Sequence, residues 1–219
     1  LGVRKVRITG GEPLLRRDLH KLVAQLKGID DGPNGGLSEL ALTTNGVLLA
    51  DCAQQLRDAG LDRLTISLDT LNPARFEQIA KRGALAQALA GLDAALAAGF
   101  EHVKLDTVVM RGVNDDEIVA LLDYSLERGV EVRFIEYMDV GGATGWRPES
   151  VVSRAEVLAT IRAAHGAITP LGGRGAAPAE RFELTDSFPS GGGVFGVIAS
   201  VTTPFCGACD RARLTADGM

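Results

Sequence analysis

A chain of 219 residues, 46% of them apolar, has room for one large domain or a domain with an appendage, and it contains no apolar run of membrane-spanning length. Its formal charge of -5, from 23 basic and 28 acidic residues, argues against a broad nucleic-acid surface and leaves room only for local basic clusters. The three cysteines, Cys52, Cys206 and Cys209, are too few for a disulfide framework, which together with the lack of a visible signal peptide points to a reducing, cytoplasmic setting.

Strand and helix alternate along the chain. The first strand, Val3–Thr9, ends in the turn Gly10-Gly11, where two glycines let backbone approach a ligand closely. Glu12 follows and is kept extended by Pro13. A helix is expected over Leu19–Lys27, a strand over Leu40–Thr44, a helix over Leu48–Ala59 and a strand over Arg63–Leu68. Asn72-Pro73 reads as a helix start, and a helix follows over Leu85–Ala98. Next come a strand over His102–Val109, a helix over Asp115–Arg128 opened by Asn114 with Glu117, and a strand over Val130–Glu136. Gly28, Gly60, Gly99 and Gly129 each stand just past a helix, where a left-handed residue is wanted. Repeated βα units imply a parallel sheet with helices packed outside it.

The strands are not uniformly apolar, as strands covered on both faces would be. Leu64, Ile66 and Leu68 oppose Thr65, Ser67 and Asp69; Val103 and Leu105 oppose Lys104 and Asp106; Val6 and Ile8 oppose Lys5 and Arg7. The pattern fits a barrel, or a partly open one, whose interior is lined by Arg7, Thr43, Ser67, Lys104 and Asp106. Two cations in such a place call for an anion: either a bound ligand, or Asp106 and Glu136 in a structural network.

After Glu136 the pattern changes. Residues Val140 to Trp146 form a glycine-rich connection without phosphate-loop spacing. Ser153 and Glu156 make a capping box for a helix through about Ala164. A loop is expected over Gly172–Pro178, and antiparallel strands over Arg181–Leu184 and Val194–Val201, joined by a turn around Pro189–Gly193. The end of the chain carries Cys206-Gly207-Ala208-Cys209-Asp210-Arg211-Ala212-Arg213. A Cys-x-x-Cys pair is half a zinc or iron–sulfur site, or a redox dithiol lacking its usual helical context. Arg211 and Arg213 share one side of an extended segment, which suits a polyphosphate or a carboxylate, or else an exposed basic edge strand. Cys52 reads as a packing residue, and the histidines do not cluster.

Several stretches together resemble the radical S-adenosylmethionine (radical SAM) GTP 3',8-cyclase family of molybdenum cofactor biosynthesis. They are Arg7 to Leu14, Leu42 to Gly46, Ile66 to Asp69, Gly112 to Asp115, Arg133 to Asp139 and Phe205 to Leu214. The resemblance implies an α/β fold: a partial (β/α)6 TIM-like barrel missing its first strand over residues 1–138, with a C-terminal α+β extension over 139–219 carrying the second-cluster motif. It implies a lyase reaction in which a 5'-deoxyadenosyl radical removes the ribose 3' hydrogen of GTP and the carbon radical closes onto C8 of the guanine. By matching position, Gly11, Ser67 and Met138 would contact S-adenosylmethionine, and Arg7, Thr43, Lys104, Arg211, Ala212 and Arg213 would contact GTP. Cys206 and Cys209 would ligate the second of two 4Fe–4S clusters.

The family also implies an electron donor, a homodimer and a downstream pathway enzyme as partners, with neither nucleic acid nor membrane. Asp106 stands where relatives often carry Asn. The three-cysteine motif for the catalytic cluster is expected before Leu1, and the third ligand of the second cluster after Met219, so the chain reads as an inactive piece of a longer protein. The rival readings are another radical SAM enzyme with an auxiliary cluster, a zinc-stapled α/β binding module, and a phosphate-binding barrel enzyme.

Overall fold

The computed structural model describes residues 2–29, 36–80, 84–139, 145–173, 175–185, 193–204, 207 and 209–215. The chain forms two compact units, Leu1–Leu68 with Asn72–Leu105, and Asp69–Leu71 with Asp106–Met219.

The first unit holds β1 (Lys5–Ile8), α1 (Leu19–Lys27), β2 (Glu39–Thr44), α2 (Ala53–Asp58), β3 (Arg63–Ser67), α3 (Pro73–Ala80) and α4 (Leu85–Ala97). Strand β2 lies between β1 and β3 and is parallel to both, with Arg7 opposite Ala41 and Thr43 opposite Thr65. Leu40, Leu42, Leu64, Ile66, Leu49, Leu56 and Leu92 form the core, each at 1% exposure or less. Asn72 caps α3 as expected, its side-chain oxygen accepting from the Ala74 and Arg75 amides. The helix expected over 48–59 is interrupted: a short 3-10 turn over Leu49–Asp51 precedes α2, and Cys52 between them leaves helical geometry at φ -138°. That break lets Leu49 and Ala53 both face inward. Helix α4 passes so close to the turn after β2 that a Cβ on Gly91 would lie 2.1 Å from the Gly46 carbonyl oxygen.

Strand β4 (Lys104–Val109) carries the chain into the second unit. There α5 (Ile118–Glu127), β5 (Glu131–Glu136), α6 (Arg154–His165), β6 (Ile168–Leu171), β7 (Glu180–Leu184) and β8 (Val194–Ile198) follow. The strand order in this unit is β4-β5-β8-β7-β6; β8 is parallel to β5, while β7 is antiparallel to both β8 and β6. The α/β class holds, with parallel βα units giving way to an antiparallel tail. Among the described residues β1 is paired on one side, with β2, and β6 on one side, with β7, so each is an edge strand. Phe134, Phe182, Phe195, Leu121, Leu122 and Ile161 centre this unit's core, and the capping box at Ser153 and Glu156 forms as read.

Three local expectations change. Gly60, Gly99 and Gly129 take the positive φ that a helix end wants, but Gly28 sits at φ -80°, still right-handed, and its amide closes the helix onto Ala24. Asn114 does not cap a helix; α5 begins at Ile118 after a 3-10 turn over Asp115–Glu117. Strand β6 has no counterpart in the sequence reading, because it is four residues long, carries Pro170 and is exposed along its middle. The Pro189–Gly193 turn lies outside the described residues up to Gly193, as does most of the glycine-rich connection. Among the described residues no helix is long and apolar enough to cross a membrane.

Candidate functional site

In the first unit the polar face starts from Arg7. Alternation along β1 turns Arg7 away from Val6 and Ile8, and the parallel register sets it beside the next two strands. Its guanidinium donates to Thr43 Oγ1 at 2.8 Å and to Thr65 Oγ1 at 3.0 Å. Two of the expected substrate residues, Arg7 and Thr43, are thus in direct contact, and Thr65 joins them. Thr65 had a signal in the sequence: it shares the phase of Thr43 within its own strand. Ser67 is exposed at the end of β3, and Lys104 is half-buried on β4.

The turn after β1 is held from below. Glu12 is extended at φ -102°, as its position before Pro13 requires, and its carboxylate accepts from Thr44 Oγ1 at 2.7 Å, the Asn45 amide at 2.8 Å and the Leu14 amide at 3.0 Å. These bonds tie the end of β1 to the end of β2. They leave Gly10, at φ +137°, and Gly11 facing space in which an added Cβ would meet no atom within 4 Å. Gly10 and Gly11 therefore have free space where a side chain would stand.

In the second unit two carboxylates interact on the Asp69 segment and β4. Burial pushes the Asp69 carboxyl up to about 6, the charge of Asp106 adds to that, and a 2.8 Å hydrogen bond from the Val108 amide opposes both. A folded-state value above the unfolded one means that the native state binds the extra proton, so stability falls as pH rises from about 4 to about 6. Asp69→Asn keeps an oxygen for the Val108 amide and removes the charge. It is expected to match the wild type near pH 4 and to exceed it by about 2 kcal/mol at pH 7, the order of magnitude set by the raised carboxyl. Urea midpoints at the two pH values measure this; equal midpoints at pH 7 would remove the strain assigned to the pair.

Asn114 and Glu117 secure the same region. Asn114, 1% exposed, donates to the carbonyls of Asp69 and Val108 and accepts from the Met110 amide. Glu117 accepts from Thr70 Oγ1 and the Leu71 amide. Within the Gly112 to Asp115 motif, Asn114 therefore closes the loop.

At the end of β5, Glu136 occupies the buried phase that Val132 and Phe134 begin. Its carboxylate accepts from the Arg154, Val201 and Thr202 amides, each at 2.8 Å, and from the Thr202 hydroxyl at 2.5 Å. Burial drives this carboxyl up, but the hydrogen bonds from Thr202, Arg154 and Val201 outweigh it and hold the group below the usual carboxylate range. Glu136 is thus satisfied by backbone amides and a hydroxyl, rather than by the cation network considered from the sequence. An acidic residue in the apolar phase of a strand was the available clue.

Beyond Thr202 the described residues are exposed. Met138 at 44%, Cys209, Arg211, Ala212 and Arg213 all face solvent. Hydrogen bonds from the Arg211 backbone and side chain hold the Cys209 thiol below its ordinary value, which favours a thiolate. Cys206 lies outside the described residues. Cys52 is the reverse case: burial, with the nearby Asp51 and Glu12 carboxylates, pushes its thiol up, and its sulfur donates to the Leu48 carbonyl. Among the described residues no group of three or more His, Cys, Asp or Glu side chains is placed to hold a metal ion.

Two family profiles match the chain. Residues 1–125 match the profile of the Radical SAM superfamily, and residues 130–219 match that of Molybdenum Cofactor Synthesis C. GTP 3',8-cyclase 3 of Mycobacterium bovis is 50% identical over 220 residues, covering 100% of this chain and 56% of the relative. GTP 3',8-cyclase of Acidothermus cellulolyticus is 52% identical, covering 99% of this chain and 58% of the relative. The chain thus spans little more than half the length of these relatives. Among solved structures, HydG, a maturase of the [FeFe]-hydrogenase, aligns at TM-score 0.56 with 14% identity, over 74% of this chain and 39% of its own. A radical SAM methyltransferase from Sphaerobacter thermophilus aligns at TM-score 0.54 with 18% identity, over 73% of this chain and 47% of its own. At such identities the likeness concerns the fold alone.

Proposed function

This chain belongs to the Radical SAM superfamily, and from that premise we propose that the whole protein is a GTP 3',8-cyclase acting at the first step of molybdenum cofactor biosynthesis. The observation that carries the reading is the pairing, in one chain, of a radical SAM segment with a Molybdenum Cofactor Synthesis C segment, together with about half identity to named cyclases along its whole length.

The superfamily implies S-adenosylmethionine and a 4Fe–4S cluster, which when reduced would supply the radical chemistry. This chain's own residues do not fit that cluster: Cys52 is raised and half-buried, and the other cysteines belong to the far end of the sequence. What the chain offers is binding and orientation. Gly11, Ser67 and Met138 are the proposed S-adenosylmethionine contacts, and the open backbone at Gly10 and Gly11 supports the first of these. Arg7, Thr43, Lys104, Arg211, Ala212 and Arg213 are the proposed GTP contacts. Arg7, set by two threonine hydroxyls, keeps a fixed guanidinium for a phosphate or ribose oxygen. Cys209, with its lowered thiol, fits one ligand of a second cluster, with Cys206 as its neighbour. An electron donor, a downstream pathway enzyme, a homodimeric state, a cytoplasmic location and a division near residue 138 complete the proposal.

The test is direct. Full-length natural protein, reconstituted anaerobically with iron and sulfide and given reductant, S-adenosylmethionine and GTP, should form 5'-deoxyadenosine and a cyclised guanosine triphosphate. Formation of 5'-deoxyadenosine indifferent to GTP would reject the substrate. In the same protein Arg211→Ala removes one charge-assisted contact and should raise the GTP dissociation constant about tenfold, with S-adenosylmethionine binding unchanged. An unaltered GTP affinity by calorimetry would take Arg211 out of the site.

A further inference from the structure

Residues 209–213, proposed to meet GTP, are exposed, yet the turn that precedes them in sequence closes on a carboxylate with four hydrogen-bond donors. Glu136 is 2% exposed. One of its oxygens accepts from the Arg154 amide and the Thr202 hydroxyl, the other from the Val201 and Thr202 amides. Its backbone carbonyl accepts from Ser200 Oγ at 2.9 Å. Arg154 opens α6, so a single carboxylate joins the end of β5, the start of α6 and the turn that follows β8.

We propose that Glu136 is a positioning residue for nucleotide binding: by clamping Ser200–Thr202 to the end of β5, it sets the direction in which Cys209, Arg211 and Arg213 leave the sheet. The proposal rests on the GTP-binding role assigned above to the two arginines.

The chemistry explains why an acid is needed. Three of the four groups facing the carboxylate are backbone N–H donors, which cannot reverse. An ionised carboxylate accepts from all of them; a glutamine amide of the same shape turns an NH2 toward donors and leaves buried amides unsatisfied. The clamp closes only four residues before Cys206. A shift of the turn moves the start of the segment that carries the two arginines, whose hydrogen bonds to a polyphosphate depend on geometry.

The experiment compares Glu136→Gln and Thr202→Val with wild type in full-length, cluster-loaded protein, reading GTP affinity by calorimetry and amide hydrogen exchange by mass spectrometry. Glu136→Gln should weaken GTP binding about fivefold, and Thr202→Val, which removes only the hydroxyl, about twofold. Exchange should quicken over 200–215 while the β5 residues 131–135 stay protected. The double variant should bind GTP no worse than Glu136→Gln alone, because both changes break one clamp. Unchanged GTP affinity in a folded Gln variant overturns the proposal, as does exchange that rises equally in β5 and in 200–215, since that marks general destabilisation. Should the Gln variant not fold, the Val variant gives the same reading at its smaller amplitude. A wild type that does not bind GTP at all defeats the cyclase reading, and with it this one. In that case faster exchange over 200–215 in the Gln variant still shows the clamp, which separates the two failures.

Discussion

Gly91→Ala is expected to destabilise the first unit by about 3 kcal/mol, although alanine is the better helix former by about 1 kcal/mol. Steric contact decides the sign. A Cβ at this position stands 2.1 Å from the Gly46 carbonyl oxygen and 3.1 Å from both the Gly46 carbonyl carbon and Leu49 Cβ. The turn cannot easily yield, because Gly46 takes φ +79° and has little room around it: a Cβ added there would lie 3.0 Å from Ile66 Cγ2. Helix α4 must therefore back away from the strands and open space beside Leu49 and Leu92, both fully buried. For a chain of this size the melting temperature should fall by about 6–12 °C. Thermal unfolding followed by circular dichroism measures it, and a variant as stable as wild type would mean that the close approach of helix and turn does not exist in solution.

Asn114→Ala should cost the second unit a comparable amount, about 3 kcal/mol. The side chain makes three buried hydrogen bonds, at 2.7 Å to the Asp69 carbonyl, 2.9 Å to the Val108 carbonyl and 2.7 Å from the Met110 amide. Alanine leaves all three partners without it, in a place that is closed to water at 1% exposure. Asn114→Asp should fare no better, because a carboxylate cannot donate to two carbonyls. Urea unfolding gives the stability, and exchange at the Met110 amide gives the local effect. A loss below about 0.5 kcal/mol, the usual range for surface changes, would rule out a structural role for Asn114.

Local chemistry was readable wherever a short range of sequence decides it. Alternation in Lys104 to Asp106 separates an apolar face from a polar one, and Leu105 is buried between two half-buried neighbours. The Ser153 and Glu156 box needs only one helical turn. What could not be read depends on distant partners. Glu136 looks like a counter-ion for Arg7 or Lys104 until Val201 and Thr202, 65 and 66 residues later, are seen to close on it. Asn114 and Glu117 imitate a helix start, but the groups they bind sit on the Asp69–Leu71 segment. Gly28 differs from the other post-helix glycines because its amide still closes a right-handed turn onto Ala24. The substrate and cofactor roles came through likeness of motif; the structure adds the contact of Arg7 with Thr43 and Thr65, and the free space over Gly10 and Gly11.

The Glu12 anchor bears on the thermodynamics of recognition. A glycine pair has more conformational freedom to lose than any other dipeptide, and a turn left loose would have to lose it at the moment a ligand docks, at about 1–2 kcal/mol per residue. Here the loss is met during folding, by three hydrogen bonds that one carboxylate accepts from Thr44, Asn45 and Leu14. On the proposed reading, a ligand docking over Gly10 and Gly11 would meet a preorganised surface, and its contacts with that backbone would appear in the binding free energy with little deduction for ordering the protein.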